Sequence, residues 1–380
     1  GIPLIEVGTE PDIRTPDQAK EVAAQLGMML RSLPNVKRGL GTIRQDVNVS
    51  IRGGTRVEIK GAQDLKQIPL LIELEVKRQA ELLKIREELR HHRLNPLEIV
   101  DLTVLLEGCS SKVIIDKTVM GIKLHDFTGL LGRELQPNYR VGSEFSGRAK
   151  ILAGVKGIFH SDELPNYGIT DREVKLLRKK LKCNLQDGFV LVAGSLERCR
   201  IALKAVHARA LELWDGVPKE VRRASADGTT TYMRPMPGAA RMYPETDIPL
   251  IYPYSVEIPE LLSDKIIRFQ KNYSLNEDMA SFLVKSSFVD LFEEIVEMYP
   301  KIKNTFISDV LVAMPREISR KYKVDVSSLG EKQFKEVFKH LASGKIHKDI
   351  VLDVMIDMCK GKFNISKYES LSTEDIHAVI

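Results

Sequence analysis

Residues 41–60, GTIRQDVNVSIRGGTRVEIK, read as two alternating strands around Gly53-Gly54. On the first strand Ile43, Val47, Val49 and Ile51 share one face, while Arg44, Asp46, Asn48, Ser50 and Arg52 share the other. On the second, Val57 and Ile59 are apolar and Arg56, Glu58 and Lys60 polar. A two-residue Gly-Gly loop would pair Ile51 with Arg56 and mix the faces. A three-residue loop, Gly53 to Thr55, pairs Val49 with Ile59, Ser50 with Glu58 and Asn48 with Lys60, so it is the expected one, with a glycine at positive φ. The hairpin then has one apolar face and one carrying carboxylates, an amide and cations. Two readings fit: an antiparallel sheet with one solvated side, or a polar floor that holds a charged substrate.

Working outward, Thr15-Pro16-Asp17-Gln18 is a capping box with proline at the first helical position. The helix it opens carries Ala19, Val22, Ala23, Leu26, Met29, Leu30 and Leu33 on one face and stops at Pro34. Residues 1–10 alternate weakly, like a strand. After Gly61 the pattern predicts a helix over Pro69 to Arg93, with Ile72, Val76 and Leu83 buried and its Glu, Lys and Arg residues on a solvated face. Strand, helix, hairpin and helix make an α+β layer.

Asn95-Pro96 punctuates the chain. Beyond it, strands are expected at Lys112 to Leu124, Arg148 to Phe159 and Gly188 to Ala193. Thr170-Asp171-Arg172-Glu173 caps a basic helix, and a further helix covers Leu196 to Trp214. Residues 216–255, with six prolines, read as loop. From Pro259 amphipathic helices follow one another, and the last of them form a small module. The expected divisions are 1–96, 97–215, 216–257, 258–327 and 328–380.

The chain has 380 residues, 43% hydrophobic and 29% charged, which excludes a disordered protein and suggests two to four domains. No run reaches the ~18 apolar residues of a membrane span. The start, GIPLIEVGTEPD, has neither methionine nor the features of a signal peptide, and reads as a piece whose beginning is missing. A net charge of +5 permits nucleic acid without demanding it. The four cysteines form no CxxC pair and read as reduced, buried thiols of a cytoplasmic protein. His91-His92 sit where they complement a helix dipole rather than bind metal.

GxxxxGKS/T, GxGxxG after a strand, GxSxG and HExxH are all absent, so a nucleotide would not be held in P-loop fashion. What remains is a set of carboxylates among cations on strand surfaces: Glu6, Glu10, Asp46, Glu58, Lys60 and Glu245. Oxygen donors of this kind suit Mg2+ shared with phosphates.

At this point the motifs resemble a known family. GIPLIEVGTEPDIRTP, GTIRQDVNVSIRGGTRVEIKG and ARMYPETDIPLI are similar to the B/E family of tRNA-dependent amidotransferases, on the side of the archaeal glutamyl-tRNA(Gln) amidotransferase E subunits. The B-type hairpin would read closer to SxRCDANVS followed by VEIKNLNSF, and B subunits lack the segment 97–215, which looks like the domain inserted in bacterial aspartyl-tRNA synthetases. The resemblance implies an α+β fold: a cradle-shaped antiparallel-sheet catalytic domain, the inserted α+β domain, an all-helical domain and a helical tail.

It also implies an activity. ATP and Mg2+ serve to phosphorylate the γ-carboxylate of glutamate on a mischarged tRNA(Gln), and ammonia from an asparaginase-like D subunit, a glutaminase, displaces the phosphate. By this resemblance Glu6 matches a metal ligand, and Asp46, Glu58, Lys60 and Glu245 are candidate catalytic residues. Arg44, Asn48, Glu10 and Asp247 are candidates for ATP or the aminoacyl end. Glu10 has a rival role in shaping its turn, and Glu58 with Lys60 in a cross-strand charge pair worth about 0.5 kcal/mol. The family's upstream cradle, with a histidine and another glutamate for the metal, is not in this sequence, so this stretch by itself is expected to be inactive. Candidate tRNA-phosphate contacts are the basic helix 174–182 and Lys332, Lys335, Lys339, Lys345 and Lys348. Two alternatives stay open: a B-type subunit acting also on Asp-tRNA(Asn), and a non-catalytic tRNA-binding protein on the same scaffold.

Overall fold

The computed structural model describes residues 4–33, 36–37, 41–237, 252 and 258–368. The chain forms two compact units, Gly1–Leu26 with Arg38–Pro253, and Gly27–Lys37 with Tyr254–Ile380. The boundary falls within the first helix, α1 (Pro16–Ser32). Half of its capping box forms: Thr15 Oγ1 accepts from the Gln18 amide, whereas Gln18 Oε1 accepts from the Arg14 amide at 2.7 Å instead of the Thr15 amide. Residues 4–10 form no strand, contrary to the weak alternation there.

In the first unit β1 (Asp46–Val49) and β2 (Val57–Lys60) form the expected hairpin, but its register differs. Asp46 pairs with Lys60, Val47 with Ile59, Asn48 with Glu58 and Val49 with Val57. That is two residues from the expected pairing, so every side chain keeps its face. Alternation constrains register only modulo two, and the turn decides the rest. The turn runs from Ile51 to Gly54, with Gly53 at φ 80°. Helix α2 (Ile68–Leu89) presses on it: a Cβ on Gly54 would lie 2.5 Å from Gln79 Oε1.

The sheet continues through β9 (Glu220–Ala224) and β10 (Thr230–Pro235), in the order β1-β2-β9-β10. Residues 216–237 are therefore not the loop that their prolines and polar residues suggest. Nor is the sheet purely antiparallel: β2 and β9 run parallel. Between those two strands lies a long excursion with its own elements, which lets the chain return in the same direction.

The excursion builds a second sheet, ordered β3-β4-β8-β7, from β3 (Val100–Asp101), β4 (Thr118–Leu124), β7 (Phe159–His160) and β8 (Gly188–Gly194). A two-stranded piece, β5 (Glu134–Gln136) with β6 (Tyr139–Arg140), leads into α3 (Val141–Ala153). The first half of the strand expected over Arg148 to Phe159, up to Ala153, is thus helix, and only Phe159 at its end is strand. Val141, Phe145, Arg148 and Ala149 are buried at helical spacing, and Gly154 at φ 63° ends the helix. Helices α4 (Asp171–Lys180), capped by Thr170 with Glu173 as expected, and α5 (Leu196–Leu211) complete the unit.

This second sheet is buried on both faces, which is why β4 and β8 read as apolar runs. Met120, Ile122, Leu124, Val190 and Val192 join a core with α2, α3 and α5. Val119, Phe189 and Leu191 face another, under Leu177 and Leu181 at α4. The first of these cores also takes in Val57, Leu82, Ile85 and Leu89.

The second unit holds the last part of α1 and the helices α6 (Leu262–Tyr273), α7 (Glu277–Val284), α8 (Val289–Met298), α9 (Asn304–Ser308), α10 (Met314–Lys321), α11 (Glu331–Ala342) and α12 (Val351–Cys359). Between α9 and α10 the chain makes a π-helical turn, Asp309–Ala313, just ahead of Pro315. One core containing Phe269, Phe292, Phe334 and Phe338 runs through both 262–318 and 329–356. Among the described residues no helix is long and apolar enough to cross a membrane.

Candidate active site

The paired strands place Asp46, Lys60, Arg223 and Thr231 side by side in one row across β1, β2, β9 and β10. Directly paired residues share a face, so this row continues the polar floor across four strands. Lys60 is its centre. Its Nζ lies 2.6 Å from Asp46 Oδ2 and 2.6 Å from Glu58 Oε1. Burial would lower the Lys60 pKa, but hydrogen bonds to the two carboxylates raise it above its ordinary value. The ammonium is therefore charged throughout the neutral range, and three charged groups leave one net negative charge.

Asn48 is exposed on the same face, beside Glu58, and Arg44 is exposed two residues before β1. Glu6 and Glu10 are exposed in the irregular segment before α1, and the Glu10 carbonyl closes a turn onto the Asp12 amide. Neither side chain bonds a floor residue among the described residues. Glu245 and Asp247 lie outside the described residues.

Arg223 and Thr231 also line a cavity of about 820 Å3 that the polar row by itself does not announce. Arg140, Lys150, His160 and Glu163 contribute to it, with Ser143, Ser146 and Gly147 of α3 as a wall of small residues. Asp46, Asn48, Glu58 and Lys60 are not among its lining residues. His160 is 5% exposed, its Nδ1 has no partner, and burial holds its pKa below the ordinary histidine value. These residues were missed because their segments read as loop or as strand. One signal was available: Ala226-Asp227-Gly228, with Gly228 at φ 82°, is a three-residue hairpin loop.

Behind the sheet, opposite the floor, lies a buried ion network that periodicity also missed. Glu75 and Arg78, assigned from sequence to a solvated face of α2, are 0% exposed, whereas Val76 is 38% exposed. The buried stripe is Leu71, Glu75, Arg78, Leu82, Ile85 and Leu89, not Ile72, Val76 and Leu83. Arg78 donates to Glu144 at 2.6 Å, Glu75 at 2.8 Å and Glu220 at 2.7 Å. Glu144 accepts from Arg209 at 2.9 Å and pairs with Arg222 at 3.0 Å, and Arg222 also holds Glu220. Burial would raise the Glu144 carboxyl, but Arg78, Arg222 and Arg209 outweigh it and hold it well below the usual range. Arg148 donates to Glu220 at 2.9 Å and to Glu212 at 2.8 Å, so four carboxylates (Glu75, Glu144, Glu212 and Glu220) balance four guanidiniums and tie α2, α3, α5 and β9 together beneath Arg223. Gln136 and Thr230 extend the network by hydrogen bonds to each other and, through Thr230, to Arg222.

Of the candidate phosphate contacts, Lys335 is held at 2.7 Å by both Glu294 and Glu331. Arg178 of α4 turns inward onto the Asn184 and Asp187 carbonyls.

Residues 1–256, which include both four-stranded sheets, match the GatB/GatE catalytic domain. The chain belongs to the GatB/GatE family. Its relatives include the glutamyl-tRNA(Gln) amidotransferase E subunit of Methanocaldococcus jannaschii, 44% identical over 100% of this chain and 64% of that protein. The proteins of the same name from Methanosarcina barkeri and Sulfurisphaera tokodaii are 48% identical over 93% of the chain and 42% identical over all of it. The chain spans about 64% of the length of the first of these relatives. Within the GatB/GatE domain the likeness thus extends over the hairpin, the second sheet and the returning strands. It is to E subunits that these matches run, in line with the resemblance seen in the hairpin motifs.

Proposed function

We propose that this chain is the part of a glutamyl-tRNA(Gln) amidotransferase that activates the glutamyl end, with the polar row Asp46–Lys60–Arg223–Thr231 as its floor. The single observation that carries the reading is that row. It sets a lysine between two carboxylates and continues onto an arginine on the rim of a cavity large enough for a nucleotide. The archaeal relatives supply the class of reaction.

A carboxylate is a poor electrophile until its oxygen becomes a leaving group, and phosphorylation supplies one. Asp46 and Glu58 present the hard oxygens that Mg2+ prefers, Glu6 is a third candidate, and Mg2+ would neutralise phosphate charge during transfer. Arg44 and Arg223 are placed to take phosphate oxygens of ATP, Arg223 with a planar fork suited to them. Lys60, held charged by its neighbours, steadies both carboxylates and offers positive charge to the transferring group. Asn48 can both donate to and accept from the aminoacyl end. Glu10, Glu245 and Asp247 remain candidates for the same cradle. The arrangement needs a partner that releases ammonia, which we assign to an asparaginase-like D subunit, making the working enzyme a hetero-oligomer of the cytoplasm.

The test uses the full-length protein with its glutaminase partner, Glu-tRNA(Gln), ATP and Mg2+. Asp46→Asn and Lys60→Met should each lower tRNA-dependent ADP formation roughly a hundredfold or more, with tRNA affinity within about twofold, because phosphate contacts dominate that affinity. Equal loss of binding and turnover would assign the residues to folding. Unchanged turnover would leave the scaffold as a tRNA-binding module.

A further inference from the structure

The cavity beside the floor is a groove along one face of α3. Gly142, Ser143, Ser146, Gly147 and Lys150 line it at successive turns, about 12 Å of helix. The small side chains keep this wall low, and a Cβ on Gly142 would lie 2.5 Å from His160 Nε2, where α3 meets β7. Three cations stand around the groove: Arg140 just ahead of α3, Lys150 near its end, and Arg223 on β9. All three are exposed, and none has a carboxylate partner among the described residues. Among the described lining residues the one carboxylate is Glu163, and its Oε1 accepts from the His160 amide at 3.1 Å. Tyr139 Oη and His160 Nδ1, both buried without a hydrogen-bond partner, belong to side chains of the same lining. The protein thus leaves both positive charge and polar capacity unused here.

Such a lining suits an anion, and the spread of the cations decides its kind. Lys150 lies against Gly157, where a Cβ would be 3.7 Å from its Cε. Arg140 acts electrostatically on His160, three residues further along that wall, which is roughly 10 Å of extended chain. Cations so spaced do not converge on one compact triphosphate. They match a polyanion that carries one charge per nucleotide. Single-stranded nucleic acid is held in this way, its backbone tracking a basic groove past aromatic side chains, and Tyr139 and Tyr232 are in the lining. The groove also opens onto the floor, because Arg223 lines it and pairs directly with Lys60 on the neighbouring strand.

We propose that this groove binds the unpaired 3′ end of the tRNA, with Arg140 and Lys150 on its backbone phosphates, and leads the terminal ribose past Arg223 to the floor. The inference rests on the amidotransferase reading above and gives the nucleic acid a place of its own beside that of ATP. It makes α3 and the segment before it, which belong to the long excursion between β2 and β9, part of the substrate site. The ester-linked glutamyl group then reaches the Asp46–Lys60 row from the β9 side.

The test uses the full-length protein with its glutaminase partner and two probes, tRNA(Gln) and the same tRNA trimmed of its unpaired 3′ nucleotides. The parent protein should bind the trimmed tRNA roughly tenfold more weakly. Arg140→Met combined with Lys150→Met should weaken intact tRNA about tenfold and reduce its log–log salt slope by about 1.4, at ~0.7 for each single-strand phosphate. Binding of trimmed tRNA and the KM for ATP should each stay within about twofold. A raised KM for ATP with tRNA binding unchanged would give the groove to ATP and overturn the proposal. Equal weakening of both tRNAs would overturn it by placing the two cations on the tRNA body, as would unchanged binding of both. Failure of the amidotransferase reading looks different: the parent then forms no tRNA-dependent ADP, while the binding comparison still decides the groove. Both altered side chains are exposed, so an unchanged urea midpoint is expected, and Lys150→Arg, which keeps the charge, should bind like the parent.

Discussion

The buried network gives a quantitative test of what holds the first unit together. Glu144→Gln keeps the shape of the side chain and removes one of the four negative charges that balance Arg78, Arg148, Arg209 and Arg222. In the parent protein Glu144 meets these guanidiniums at 2.6, 2.9 and 3.0 Å. Glutamine retains one acceptor oxygen: in the place of Oε1 it keeps Arg78 and Arg222 as ordinary hydrogen bonds and turns its NH2 toward Arg209. Arg78 and Arg222 keep Glu75 and Glu220, whereas Arg209 keeps only Glu212, at 3.8 Å. Breaking a buried ion pair from one side costs about 3–5 kcal/mol. With a urea m-value of about 2–3 kcal/mol per molar, the midpoint falls by roughly 1–2.5 M.

The assay is urea unfolding followed by Trp214, the single tryptophan, which packs on Phe127 within the same unit. The pH dependence has a definite sign. The Glu144 pKa is depressed in the folded state, so its contribution is complete above the unfolded value of about 4.3 and is lost as pH falls through the folded value. The gap between parent and variant is therefore constant from neutral pH down to about pH 5 and narrows in stronger acid. Adding Arg209→Met restores charge balance and should recover more than about 1 kcal/mol of the loss. A Glu144→Gln loss below about 1 kcal/mol, or a gap that widens in acid, would refute the argument that charge pairing holds this core.

Two further predictions concern the second sheet. Gly168 has φ 82°, and a Cβ there would lie 2.7 Å from the Ser111 amide nitrogen, so Gly168→Ala combines left-handed strain with a backbone clash. It should destabilise by about 2–4 kcal/mol in the same urea assay, and a loss below about 0.5 kcal/mol would show that the 109–111 turn moves freely. Burial raises the Cys199 thiol and pushes Cys183 up to about 11, so both should resist iodoacetamide at about pH 8 until urea is added, as read by peptide mass spectrometry. Labelling at the rate of an unfolded peptide would contradict the packing around them.

Much of the local structure is legible in residue order because it depends on neighbours in sequence. Thr15 and Thr170 announce their helices, alternation sorts the faces of the hairpin, and the apolar runs at β4 and β8 mark a doubly covered sheet. The polar side of the floor, Asp46 with Lys60 and Glu58, follows from the same alternation. What alternation leaves open is a shift by two residues, and there the turn closed by the Gly54 amide on the Ile51 carbonyl decides, at a position where Gln79 leaves no room for a side chain. Partners far along the chain lay beyond any local pattern. Arg223 joins Lys60 only because β9 returns parallel to β2, and Glu75 and Arg78 leave water only because Glu144, Arg209, Glu220 and Arg222 arrive from three other elements. A charge reads as surface in one dimension. Only the tertiary fold can bring the opposite charges that make its burial tolerable, since an ion's desolvation is offset by contacts no sequence window contains.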